Sequence, residues 1–287
     1  VTGPGIDVTG NVSAGSLDLD ASGGALTDTV GDLSVTGTAT LTVTTTDVLT
    51  LDAVTNDFGT VLLSSGTGAV TLVDADDIDL GASTLGGTLD VTATTSDITD
   101  SGAVDVTSAA TFTAGTGTNV ILDTAANTFG STVSFVASAG TLADVTIVDD
   151  TALDLQALTI TGDLVAMGAG LVQSGALSVG GTSTLTVTTT DLLTLDNAAN
   201  DFDTVLLSSG TGTVTLVDAD DIDLGASSVG GALNVTATSG AITDSGAVDV
   251  TGAATFTAGT NVILDTAANT FGSTVSFVAS AGTLADV

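Results

Sequence analysis

Residues 39–116 and 183–260 of this chain agree at 63 of 78 positions without a gap, an offset of 144. A sequence that repeats itself so closely folds as an array, in which each unit buries its apolar face only against its neighbours. After a deletion of Gly117 and Thr118, the segment Asn119 to Val145 recurs letter for letter as Asn261 to Val287, whereas the first copy runs on into Thr146. The chain also starts at Val1 with no signal peptide, so a piece of a longer polypeptide, cut at its C-terminus, is expected. A shorter period lies inside the long one. Asn-x-Phe followed shortly by Thr-Val occurs at Phe58, Phe129, Phe202 and Phe271, and Thr99-Asp100-Ser101-Gly102 returns as Val172-Gln173-Ser174-Gly175 and Thr243-Asp244-Ser245-Gly246. Two repeat units, 1–144 and 145–287, each of half-repeats of about 72 residues, are the expected organisation.

Within a half-repeat the apolar residues come as short alternating bursts, such as Leu41 and Val43, Leu49 and Leu51, Val70 and Leu72, Leu89 and Val91, Val104 and Val106, and Val133 and Phe135. Thr42, Thr50, Thr71, Asp90, Asp105 and Ser134 sit between the members of these pairs. That is strand period, with one face toward a core and the other toward water. The joints carry Gly, Asp, Asn or Ser and are too short for a helix. An antiparallel meander would leave long edges without Pro or Lys to protect them, whereas coil-on-coil stacking pairs every internal strand. The sequence therefore predicts an all-β parallel β-helix, a β-solenoid with coils of roughly 18 to 24 residues. At about 4.8 Å per coil this gives a rod on the order of 60 to 75 Å long.

The charges exclude most chemistry. There are 34 acidic residues, all Asp, and no Lys, Arg, His or Cys, for a net charge of -34. A serine or cysteine triad lacks its base, a phosphate cradle its cation and a Schiff base its amine. An enzyme is not expected. Nucleic acid and anionic membranes would be repelled, and no apolar run approaches the roughly 18 residues of a membrane-spanning helix. Spread along such a rod, the acids lie about 2 Å apart per charge, close to the density of duplex DNA. Salt is therefore expected to stabilise the fold.

The densest acidic cluster is Asp74, Asp76, Asp77 and Asp79, repeated as Asp218, Asp220, Asp221 and Asp223. Carboxylates so placed could supply part of the six to eight oxygens that calcium takes. No cofactor is required, and calcium is the one candidate ligand. Against a site, Asp79 lies between Ile78 and Leu80 and points outward, Asp76 and Asp77 read as a corner, and charge runs usually mark solvated surface. Asp149 and Asp150 read as solvated turn acids too. Ranks of Thr such as Thr40, Thr42, Thr44 and Thr46 would suit an ice-binding face, but Thr is also simply the polar residue best fitted to an exposed strand. The eight Phe read as core filling, and Asn56, Asn127, Asn200 and Asn269 as corner caps.

Ile-Thr-Asp-Ser-Gly-Ala-Val-Asp-Val-Thr-Gly-Ala-Ala-Thr-Phe-Thr-Ala-Gly (Ile242 to Gly259), then Asn-Val-Ile-Leu-Asp-Thr-Ala-Ala-Asn-Thr-Phe-Gly (Asn261 to Gly272), resembles the repeats of very large bacterial exoproteins of the filamentous haemagglutinin type. The likeness runs from about Leu26 onward. It implies a right-handed parallel β-helix shaft exported to the cell surface, serving as an adhesin or extended filament. It also implies self-association as the main partnership, end to end or lateral, with a host or neighbouring-cell surface met through a region outside these residues. That family's secretion domain is absent, total loss of Lys and Arg is unusual in it, and no binding residue carries over.

Overall fold

A computed structural model describes residues 1–287. There is no helix: short strands follow one another from Thr2 to Ala279, and every strand pair is parallel. The chain resolves into two compact units, Val1–Asp150 and Thr151–Val287. Both are β-solenoids, as the burst pattern requires.

In the first unit one face is built from seven strands, Ile6–Asp7, Leu26–Thr27, Leu49–Leu51, Val70–Asp74, Leu89–Ala93, Ala110–Ala114 and Thr132–Ala137, each hydrogen-bonded to the next. In the second unit the matching strands are Ala152–Leu155, Gly170–Gln173, Leu193–Leu195, Val214–Asp218, Leu233–Ala237, Ala254–Ala258 and Val275–Ala279. Along these columns the shortest coil joins Ala152 to Gly170 and the longest, equal in length, join Leu26 to Leu49 and Ala110 to Val133, all within the expected coil length. Because the register is conserved, like residues stack: Thr50 on Thr71, Leu51 on Leu72, Phe112 on Phe135.

The remaining wall opens with short strands, Val12–Ala14 and Leu17–Ala21, which both pair with the long strand Leu33–Val43; after Asp57–Ser65 it breaks again at a corner into Ile78–Leu80 and Ser83–Leu85. A break removes ladder bonds, and a side chain replaces one of them. Buried Ser83 Oγ accepts the Leu63 N–H at 3.0 Å and donates to the Gly81 carbonyl at 2.8 Å. Ser227 does the same for Leu207 and Gly225. Most buried polar groups in folded proteins are paired in some such way.

The core is the stacked inward rank of each strand. Leu41, Leu49, Leu51, Leu72, Val91, Phe112 and their repeats are fully buried, while Thr42, Thr50, Thr71, Asp90, Asp105 and Ser134 face out. Each large side chain so buried contributes roughly 1.5–3 kcal/mol. Phe112 stacks on Phe135 at 5.9 Å and meets Phe129 edge-on at 6.0 Å, and Phe256 repeats both contacts with Phe277 and Phe271. The deletion of Gly117 and Thr118 explains itself here. Ala110 pairs with Val133 in the first copy, and Ala254 with Val275 in the second. These are equivalent partners, so the deletion shortens a corner and leaves the ladder register untouched.

Candidate functional site

A chain without cations must give its carboxylates other donors, and here those donors lie on neighbouring coils. The four Asn of Asn-x-Phe carry the most regular case. Asn127 inserts into the corner of the coil beneath, where its Oδ1 accepts the Val104 N–H at 2.8 Å and its Nδ2 donates to Asp100 at 2.6 Å. Asp100 accepts in addition the Asp123 N–H at 2.9 Å. Asn56 grips Leu33 and Asp28 at 2.9 and 2.7 Å, and Asn269 grips Val248 and Asp244 at 2.8 and 2.6 Å. In the remaining half-repeat Gln173 replaces the Asp: Asn200 Nδ2 donates to its Oε1 at 2.8 Å, and its Nε2 donates back to Asn200 Oδ1 at 2.7 Å. The corner-cap reading of these Asn therefore holds, but the corner they bind is the one on the preceding coil.

At Phe58, Phe129 and Phe202, each two residues after such an Asn, a buried Asp accepts the Phe N–H. Asp74 accepts the N–H of Phe58 at 2.7 Å and of Asp76 at 2.9 Å, and Asp218 those of Phe202 and Asp220 at the same distances. Asp149 accepts the Phe129 N–H at 3.4 Å. Asp74 and Asp218 are 0% exposed and Asp149 3%. This corrects the expectation that these three are solvated turn acids. The Phe N–H groups they satisfy are buried. Burial pushes the Asp74 carboxyl up to about 7, against the pull of its two N–H bonds and with the help of the Asp76 charge. Asp218 is pushed up to about 6 for the same reasons, with Asp201 adding to the repulsion. Burial also raises Asp100, opposed first by the Asn127 amide.

Outward acids are bridged by hydroxyls of the following coil. Ser101 donates to Asp79 at 2.6 Å, Thr128 to Asp105 at 2.6 Å, Ser174 to Asp154 at 2.9 Å and Thr243 to Asp223 at 3.1 Å. Ser245 and Thr270 donate likewise to Asp223 and Asp249. Asp7 accepts the N–H and hydroxyl of Thr29, which hold its carboxyl below the ordinary range.

These bonds decide where the candidate calcium ligands go. Asp74 and Asp218 point inward and are committed to main-chain donors; Asp79 and Asp223 point outward to hydroxyls; Asp76, Asp77, Asp220 and Asp221 are exposed at the corner between. No group of three or more acidic side chains is gathered as a cation site. A cleft of about 440 Å³ in the second unit is lined in part by Asp201, Phe202, Asp203, Asp220 and Asp221. The sequence signal for the clasp was present as the recurring Asn-x-Phe and Asp/Gln-Ser-Gly motifs, but nothing in their spacing joined one to the other.

No curated protein and no solved structure matches the chain. A family described as repeats of unknown function (DUF5649) matches it four times, over residues 2–65, 67–136, 142–209 and 211–278. Those four segments take in most of the polypeptide, each with an Asn-x-Phe clasp or the coils that receive one, and the chain belongs to that family.

Proposed function

We propose that this chain is a shaft segment of an extracellular filament or giant surface adhesin, whose work is to span distance. The observation that carries the reading is that the Asn of every half-repeat, with most of the buried Asp, fastens one coil to the next. Main-chain ladders, Asn clasps, buried Asp and outward hydroxyl bridges all run coil to coil. The likeness to filamentous-haemagglutinin-type repeats supports the same placement, with the target-binding part of the polypeptide elsewhere. Absence of Lys and Arg removes every trypsin site, which suits exposure outside a cell.

Immunogold labelling of intact, unpermeabilised source cells with antibody to the repeats tests the location. Surface label is expected, and label confined to the cytosol overturns it. Single-molecule pulling tests the mechanical role: coils should release in steps of about 70 Å, some 20 residues at about 3.5 Å each. Smooth extension at negligible force would refute it.

A further inference from the structure

We propose that the corner 196–199 is a built-in yield point, where one coil parts from the coil beneath it more readily than at the equivalent corners 52–55 and 123–126. The proposal concerns the order in which coils part and does not depend on where the protein works. The cause is Gln173, which stands where the other three clasps have an Asp. Each of those Asp gathers more than the Asn amide. Asp28 accepts the N–H groups of Asp52 at 3.0 Å and Ala53 at 3.3 Å besides the Asn56 amide. Asp100 accepts those of Asp123 at 2.9 Å and Thr124 at 3.4 Å besides Asn127. Asp244 accepts those of Asp265 at 2.9 Å and Thr266 at 3.3 Å besides Asn269. One carboxylate thus ties the start of a corner, as well as its Asn, to the preceding coil.

Gln173 cannot do this. A carboxylate offers two acceptor oxygens, whereas a carboxamide offers one and turns a second donor toward donors. Gln173 Oε1 is taken by Asn200 Nδ2 at 2.8 Å, and its Nε2 donates to Asn200 Oδ1 at 2.7 Å and to the Gly175 carbonyl at 2.5 Å. The N–H groups of Asp196 and Asn197, which correspond to those of Asp52 and Ala53, therefore receive no acceptor from it. The corner is fastened to itself instead, Asn197 Oδ1 accepting the Ala199 N–H at 3.0 Å. In other respects the two copies agree. Asn200 N–H donates to the Asn197 carbonyl at 3.1 Å, as Asn56 does to Ala53 at 3.0 Å, and Leu177 and Leu33 each donate to their Asn Oδ1 at 2.9 Å. The missing carboxylate tie is what separates them, at a corner whose Asp196, Ala198 and Ala199 are exposed. Exposed backbone with few ties is where a fold opens locally. In a shaft under load, this corner would give way and lengthen the chain while its neighbours hold.

Native-state hydrogen exchange on the full chain, read amide by amide by NMR, tests the proposal. Leu177 and Asn200 should exchange about tenfold faster, relative to their intrinsic rates, than Leu33 and Asn56, the loss expected when a tie to a charged acceptor is missing. Gln173→Asp installs the residue found at Asp28, Asp100 and Asp244; it should slow Leu177 and Asn200 by the same factor and leave Leu33 and Asn56 unchanged. Asp28→Gln should do the reverse, speeding Leu33 and Asn56 alone. Equal protection of the two corners in the parent, or a Gln173→Asp variant in which Leu177 and Asn200 exchange as before, overturns the proposal. If Gln173→Asp melts the fold, Asp28→Gln decides, and unchanged exchange at Leu33 and Asn56 overturns it.

Discussion

Raising the pH should destabilise this protein across a range in which most proteins gain stability from their carboxylates. In the native state Asp74 keeps its proton until about pH 7 and Asp218 until about pH 6, whereas the ordinary value, taken for the unfolded chain, is 3.8. Between those limits the native state binds protons that the unfolded state has released, so stability falls as pH rises. The protonated advantage is complete below pH 3.8 and is lost on passing through each folded-state value. At about 1.4 kcal/mol per pH unit, going from pH 5 to pH 8 removes on the order of 3 kcal/mol at Asp74 and roughly half as much at Asp218. No Lys, Arg or His supplies an opposing slope. Asp7, with its lowered value, works the other way only below pH 3.8, outside this window. The chain has neither Trp nor Tyr, so urea unfolding at constant ionic strength is followed by far-UV circular dichroism. Hydrogen exchange at the Phe58 and Asp76 amides localises the effect. Asp74→Asn with Asp218→Asn should flatten the slope, at a loss of about 2 kcal/mol per site at pH 5 where an amide NH₂ meets a main-chain N–H. Stability that rises from pH 5 to pH 8, or a double variant with the parent's slope, would refute the reasoning.

Asn127→Ala leaves the Val104 N–H without a partner and takes the amide donor from the half-buried Asp100 carboxylate, and should lower stability by about 3 kcal/mol, whereas Asn200→Ala, facing the neutral Gln173, should lose nearer 2 kcal/mol; urea midpoints of the two variants check the order. Ser183 occupies the fully buried position of Ala39 in the other copy, and its hydroxyl has no partner, so Ser183→Ala should raise stability by about 1 kcal/mol in the same assay. At the corner where Gly212, Gly231 and Gly252 stack on consecutive coils, a methyl on Gly231 would overlap the Gly212 carbonyl oxygen; Gly231→Ala should cost several kcal/mol, about 3 or more, by thermal melting. Raising sodium chloride from about 0.02 to 0.5 M should raise the melting temperature by screening like charges. Calcium should add to this at matched ionic strength, and equal melting in EDTA and in millimolar calcium would remove it.

Alternation of Leu41-Thr42-Val43 or Val104-Asp105-Val106 determined which side of each strand enters the core, because side chains on a strand point to opposite faces in turn whatever the strand pairs with. Repetition at a fixed offset determined that like would stack on like. Tertiary structure alone decided which acids are solvated. Asp74 and Asp76 are near neighbours in one acidic run, yet one is sealed inside the coil and the other is not, because only Asp74 can reach the Phe58 N–H that the preceding corner turns inward. The partnership of Asn127 with Asp100 was hidden for the same reason: they lie on different coils, far apart along the chain, and only the stacking of one coil on the next brings amide and carboxylate to 2.6 Å.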